Sequence, residues 1–301
     1  MADTAVSPRP SDLRRAGEQL AASLPALLVD AERVAATVAQ GMHGRRRAGL
    51  GENFWQFRHY QPGDPARMID WRQSAKTEAV FVRENEWDVA ATVWMWRDGS
   101  PSMTFRSSEA LPSKRDRAGL LLLALGSLLV RGGERIGLLG DEHPPGQGRA
   151  ALRRMAPLVA GREGTNWAED SLPPPVRVPR FGRCVWIGDF LSPLEEIEAR
   201  LRTMSDRHVQ GHLLQVFDPA EMDLPYAGRV RFEGVEGETA LTVGRADRLQ
   251  RAWRQRLADR RAALQSLVQS VGWSLSLHRT DQPPNTALLA LYGALNADRM
   301  R

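Results

Sequence analysis

A chain of 301 residues, 42% apolar and 26% charged, can bury a sizeable core and has room for one α/β domain with an added subdomain. Its net charge of +5 is carried almost wholly by arginine, with Lys76 and Lys114 the two lysines, and 36 Asp and Glu offset most of it, which argues against a nucleic-acid-binding surface. No apolar run approaches the roughly 20 residues of a membrane helix, and the single cysteine, Cys184, excludes an internal disulfide and lies far from any zinc-ligand spacing.

In chain order, residues 1–12 are rich in Pro, Ser and Ala and read as disordered. The start MADTAVSPRPSDLRR lacks a basic-then-apolar leader, and the lone cysteine fits a reducing cytoplasm. Leu20, Leu24, Leu27, Leu28, Val34 and Val38 fall near one helical face and predict a helix within residues 13–42. Residues 43–51 are basic and glycine-rich and read as a solvated loop. Residues 52–88 carry aromatics, a Pro62-Gly63-Asp64-Pro65 turn and the strand-like run Ala79–Arg83, and predict a small β-rich unit. The mixed charges of Arg58, Asp64, Arg67, Asp70 and Arg72 beside Trp71 read as an internal network of Arg–carboxylate pairs locking these strands onto the domain that follows.

From Val89 the pattern becomes strand and helix in alternation. Strands are predicted at Val89–Trp96, within Glu134–Gly140, at Gly182–Gly188, at Gly211–Phe217 and at Trp273–Leu277. Helices are predicted at Lys114–Val130, Ala150–Val159, Pro193–Met204, Ala246–Val271 and Asn285–Leu295, with a surface loop over residues 141–149. Arg229–Phe232 and Thr239–Val243 read as a hairpin, and Ser171–Pro179 as a stiff proline-rich connection. The expected architecture is α/β: a doubly wound, mostly parallel, Rossmann-like sheet, with a small N-terminal β-rich subdomain and an N-terminal helix. The expected division is 1–43, tail and helix; 44–88, β-rich subdomain; and 89–301, α/β domain with a hairpin insertion near 225–245.

The candidate site follows from the sheet. In an open parallel sheet, ligands bind beyond the carboxyl ends of the strands. The stretch RDGSPSMTF, residues 97–105, leaves such an end and at once presents Asp98, Ser100 and Ser102. VWIGDFLS, residues 185–192, places Asp189 after a second strand, and GREGTN, residues 161–166, offers Thr165 in a glycine-flanked loop. Hydroxyls with two carboxylates are hard oxygen donors. They suit a small hard divalent cation, and two carboxylates balance its charge.

Asp-x-Ser-x-Ser after an apolar strand, then a Thr and a later Asp, resembles the metal-ion-dependent adhesion site of von Willebrand factor A domains. FRHYQPGDPARMIDWR, residues 57–72, followed by Val82-Arg83-Glu84, closely resembles the signature of bacterial DUF58 proteins. The resemblance runs from about Gly44 to the C-terminus and includes Phe217-Asp218-Pro219-Ala220-Glu221 with Leu224-Pro225. It implies a von Willebrand factor A-like domain and a partnership with a MoxR-type AAA+ ATPase. The chain would then be a non-enzymatic, metal-dependent adaptor or co-chaperone in the assembly or maturation of an unknown client. By position, Ser100 and Ser102 would bind Mg2+ (or Mn2+ or Ca2+) directly. Asp98 and Asp189 would act through water or by anchoring the hydroxyls, and Thr165 would enter or leave as the site opens. A client would complete the metal shell with an acidic residue. Two departures from the family pattern are Gly99 between Asp98 and Ser100, and Arg97 ahead of Asp98, whose guanidinium could repel a cation.

Rival readings remain at this stage. The same residues could form a turn in a degenerate A-domain scaffold that binds no metal. A metal-dependent hydrolase would want a second carboxylate where Ser100 stands, and a serine hydrolase a Gly-x-Ser-x-Gly elbow. Neither is present, and the six histidines form no triad pattern. Arg251, Arg254, Arg256, Arg260 and Arg261 spread around their helix with Asp259 among them, which reads as a solvated face and not a nucleic-acid stripe.

Overall fold

The computed structural model describes residues 30–39, 54–60, 69–76, 79–85, 92–161, 170–234 and 239–297. The predicted disordered tail, the basic 43–51 loop, the Pro62–Pro65 turn and Thr165 lie outside these residues. The chain divides into two compact units, Gly41–Ala91 and Met1–Gln40 with Thr92–Arg301.

In the smaller unit, β1 (Phe54–His59) pairs antiparallel with β2 (Phe81–Asn85), with an irregular register between Phe54 and Gln56. One short helix, α2 (Trp71–Ser74), sits between them in sequence. Asp70 starts it as an N-cap, its Oδ1 accepting from Gln73 N at 2.9 Å. Ser74 then ties the helix to the ribbon: its Oγ donates to Asp70 O at 2.8 Å and accepts from Phe81 N at 2.9 Å. Of the residues named for an ion-pair network, Asp64 and Arg67 lie outside the described residues. The Asp70 carboxylate accepts from a backbone amide at the helix start, and Trp71 is 67% exposed, so its ring is not packed among strands.

The larger unit is an α/β domain. Residues 30–39 are helical (α1), with Ala31, Ala35 and Val38 buried along one stripe. Then come β3 (Thr92–Arg97), α3 (Lys114–Arg131), β4 (Arg135–Leu138), α4 (Gly148–Val159), β5 (Arg183–Gly188), α5 (Leu194–Ser205), β6 (Gln210–Phe217) and α6 (Pro219–Asp223). A short antiparallel pair, β7 (Val230–Phe232) with β8 (Leu241–Val243), precedes α7 (Gln250–Ser270), β9 (Ser274–Arg279) and α8 (Pro284–Ala297). The long helix expected from Ala246 begins instead with a 3₁₀ turn, Ala246–Leu249.

The five-stranded sheet has the order β4-β3-β5-β6-β9, every pair parallel. Its central strand explains the long apolar run in the sequence. Cys184, Val185, Trp186 and Ile187 are all 0% exposed, although alternate residues point to opposite faces. Both faces are therefore covered by helices. Helix α3 is apolar around its circumference because it packs against α4 and α8 as well as the sheet. Gly126 permits the close approach to α4, since a Cβ there would stand 3.1 Å from Leu152 Cδ1.

The connection over residues 141–149 is largely exposed, as expected of a surface loop, and carries one bridge. Gly146 forms an antiparallel bridge to Ile136, with Ile136 N donating to Gly146 O at 2.8 Å and Gly146 N to Ile136 O at 2.9 Å. The chain thus doubles back along the sheet edge after β4. That reversal places α4 beside α3.

Candidate functional site

Three neighbouring parallel strands each end in an aspartate. Asp98 follows β3, Asp189 follows β5 and Asp218 follows β6. The register sets Arg97 opposite Ile187, and Gly188 opposite Gln215, so the three strand ends stand side by side. A row of carboxylates forms because sheet order brings together strand ends that are 91 (98 to 189) and 29 (189 to 218) residues apart in sequence.

Asp98 is fully buried. Its Oδ1 accepts from Ser100 N at 2.9 Å and from Ser100 Oγ at 2.6 Å, an Asx turn that turns the chain out of β3. Ser100 Oγ lies 3.0 Å from Ser102 Oγ, and Ser102 Oγ donates to Asp189 Oδ2 at 2.7 Å. The predicted residues Asp98, Ser100, Ser102 and Asp189 therefore form one chain of hydrogen-bonded oxygens across the two strand ends. Pro101–Thr104 makes a single 3₁₀ turn that holds the second hydroxyl in place. Thr165 is not among the described residues.

The backbone supports this packing closely. A Cβ on Gly188 would fall 2.8 Å from Asp98 Cβ and 3.0 Å from Asp98 Oδ2, so the carboxyl lies against bare backbone that only glycine leaves open. Phe190, directly after Asp189, has φ 51° with its ring buried, a left-handed conformation that tertiary packing imposes. The turn it makes lets Leu191 N donate back to Asp189 Oδ1 at 3.2 Å. Gln215 Nε2 on β6 holds Asp189 O at 2.8 Å.

Two residues join this cluster that the predicted site did not include. Lys114, at the first position of α3, is fully buried and donates from Nζ to Asp189 Oδ2 at 2.9 Å and to Glu221 Oε1 at 2.5 Å. Glu221 is placed by a capping box at α6: its Oε2 accepts from Asp218 N at 2.9 Å, while Asp218 Oδ1 accepts from Ala220 N at 2.8 Å. Asp218 Oδ2 accepts from Ser107 N at 2.9 Å, tying the β3–α3 connection to the end of β6. Two signals for Lys114 were present in the sequence: a lysine in a chain that otherwise uses arginine, set where a helix begins.

Electrostatics follow from burial and crowding. Burial first, and the Asp189 charge second, raise the Asp98 carboxyl to about 7, against the lowering effect of the Ser100 hydrogen bonds. Burial works against the Lys114 ammonium, but Asp189 and Glu221 outweigh it and its pKa lies above the ordinary value. Burial also raises Glu221, partly countered by Lys114. Arg97 is fully buried beside the site and turns to backbone carbonyls. Its Nε donates to Val159 O and its Nη1 to Asp98 O, each at 3.0 Å, and burial lowers it to about 10. Arg260 on α7 is likewise not part of a solvated face: Nη2 donates to Phe190 O at 2.8 Å and also to Ser192 O, bracing the Asp189 turn.

The donor set fits a hard cation. Asp98 Oδ2 is buried without a hydrogen-bond partner among the described residues, a costly condition that a cation or its water would relieve. With the three acids ionised, Asp98, Asp189 and Glu221 against Lys114 leave a surplus of two negative charges. Among the described residues no group of three or more His, Cys, Asp or Glu side chains could hold a metal ion, so a cation here depends on the serine hydroxyls.

Comparison with known proteins places residues 56–263 in the family described as protein of unknown function DUF58. The chain is 30% identical over 278 residues to the uncharacterized proteins Rv1480 of Mycobacterium tuberculosis and Mb1516 of Mycobacterium bovis, covering 88% of this chain and 86% of each relative. Among solved structures it is similar to an aerotolerance-related membrane protein from Bacteroides fragilis, at TM-score 0.43 and 17% identity over 69% of this chain and 99% of that one. It is also similar to BatB from Bacteroides thetaiotaomicron, at TM-score 0.42 and 15% identity over 70% of this chain and 100% of that one. No described helix of this chain is long and apolar enough to cross a membrane.

Proposed function

The chain belongs to the DUF58 family, and we propose that its larger unit is a von Willebrand factor A-like, non-enzymatic interaction module dependent on a divalent cation. In this reading it works in the cytoplasm with a MoxR-type AAA+ ATPase on a client protein that offers an acidic residue. The observation that carries it is the hydrogen-bonded run Asp98–Ser100–Ser102–Asp189 at the carboxyl ends of adjacent strands, with Asp98 Oδ2 buried and unpartnered among the described residues.

The residues take roles that suit their chemistry. Ser100 and Ser102 would hold Mg2+, or Mn2+ or Ca2+ in its place. Asp98 and Asp189 anchor those hydroxyls and supply the balancing charge. A bound cation would supply one Lewis-acidic position for a partner's carboxylate. The protein's own part is to hold four oxygens rigid and to bury the acids behind them. That arrangement suits the recognition of a partner's acid.

Calorimetric titration with Mg2+ and Mn2+ tests the reading. The wild type should bind saturably, and Ser100→Ala/Ser102→Ala should bind about 10- to 100-fold more weakly or not at all. Saturable binding that Ser100→Ala/Ser102→Ala retains at wild-type strength would overturn it. A pull-down of the ATPase with and without chelator then asks whether the cation is part of the interface.

A further inference from the structure

Lys114 stands where a cation is doubly disfavoured. It occupies the first position of α3, next to the Ser113 N-cap, where the helix dipole is positive. It is also fully buried, which penalises an ammonium unless it is paired and hydrogen-bonded. The structure offsets both costs with ion pairs to Asp189 and Glu221, at 2.9 and 2.5 Å. In this arginine-rich chain the residue here is lysine, whose compact ammonium fits between two carboxylates, where a planar guanidinium would need a wider gap.

The atom it holds matters. Lys114 Nζ and Ser102 Oγ donate to the same oxygen, Asp189 Oδ2. A cation that engages Asp189 Oδ2 therefore competes with Lys114 for the same oxygen. The other partner, Glu221, belongs to the α6 capping box, so the ammonium also links the turn after β5 to the turn after β6.

We propose that Lys114 is a built-in counter-cation that keeps the site assembled without metal and competes with a divalent ion for Asp189. This rests on the metal-binding reading above and adds to it. The site would stay formed when empty and would bind a free cation only weakly. Occupancy would then depend on a partner's carboxylate adding its charge to the shell.

The test is Mn2+ titration of the full chain by calorimetry for wild type, Lys114→Met and Lys114→Gln, with melting curves in EDTA and in Mn2+. Both variants should bind Mn2+ about tenfold more tightly or better, because a nearby positive charge is gone. Both should melt lower than wild type in EDTA and recover in Mn2+. Gln is the milder change, since it keeps a donor for either carboxylate. Damage to the fold alone would not tighten binding. Variants that fold but bind no more tightly than wild type would overturn the proposal, as would failure of both to fold even in Mn2+. If wild-type binding is lost in Ser100→Ala/Ser102→Ala but unchanged in the Lys114 variants, only this inference falls. If no protein binds Mn2+, the metal reading falls with it. Binding by the variants alone would support both, with Lys114 the reason the wild type is silent.

Discussion

Asp98 carries two oxygens with opposite fates. Oδ1 is saturated by Ser100, whereas Oδ2 is buried and unpartnered among the described residues. Its pKa is raised to about 7 from an ordinary 3.8, so the folded protein holds a proton that the unfolded chain has released. The sign follows: this group lowers stability as pH rises from the ordinary value through about 7, and the full penalty applies above that. Asp98→Asn keeps an acceptor for Ser100 and removes the buried charge. In EDTA at about pH 8 it should therefore be more stable than wild type, by up to about 2–4 kcal/mol, while losing Mn2+ binding. Chemical denaturation in EDTA beside calorimetry checks both, and a less stable Asp98→Asn would show that the carboxylate has compensation the structure does not reveal. The motif made Asp98, Ser100 and Ser102 legible because they are local, at alternate positions after a strand. Lys114 was not legible as part of the site, because its partners lie 75 and 107 residues away and only the fold supplies them.

The pairing of β6 with β9 carries a consequence of its own. His212 on β6 has each ring nitrogen near a serine of β9, Ser274 at 2.7 Å from Nδ1 and Ser276 at 2.8 Å from Nε2. His278 on β9 is also buried. Burial lowers both imidazoles from 6.5 to about 4, and Arg117 lowers His278 further. The unfolded chain takes up protons below 6.5 while the fold refuses them until about 4. Stability is therefore full above 6.5 and declines as pH falls through that window, by about 3 kcal/mol for each ring. His212→Gln should remove about half of this loss. Urea denaturation at about pH 7.5 and about pH 4.5 should show a smaller difference for the variant than for wild type, and equal differences would assign the acid sensitivity elsewhere. At the same scale, periodicity located every strand of the larger sheet and nearly every helix, with ends shifted by a few residues. It missed the bridge at Gly146, because a single bridged pair between Asp-Glu-His-Pro-Pro and a helix has no period to read.

The larger unit is built around β5, the middle strand of its sheet. Cys184 lies there, 0% exposed, and burial pushes its thiol well above the ordinary range. As the chain's one cysteine it reports on the whole sheet. A thiol reagent should leave it untouched in the native protein, and labelling should appear only across the urea unfolding transition. Labelling at the rate of an open thiol without denaturant would mean that the central strand opens locally.

The sequence by itself determined the fold class, the buried strands, the family signature and the oxygen-rich turns. Each of these is written in neighbouring residues, through period, turn chemistry or motif. Only the tertiary structure decided that β3, β5 and β6 lie side by side, so that Asp98, Asp189 and Asp218 form a row. It alone decided that Lys114 and Glu221 enter that row, that Arg97 turns to backbone carbonyls, and that Arg260 braces the Asp189 turn from α7. The reason is physical: burial and charge pairing depend on distance in space, and strand order is set by how helices and sheet pack to cover both faces, which no local pattern records.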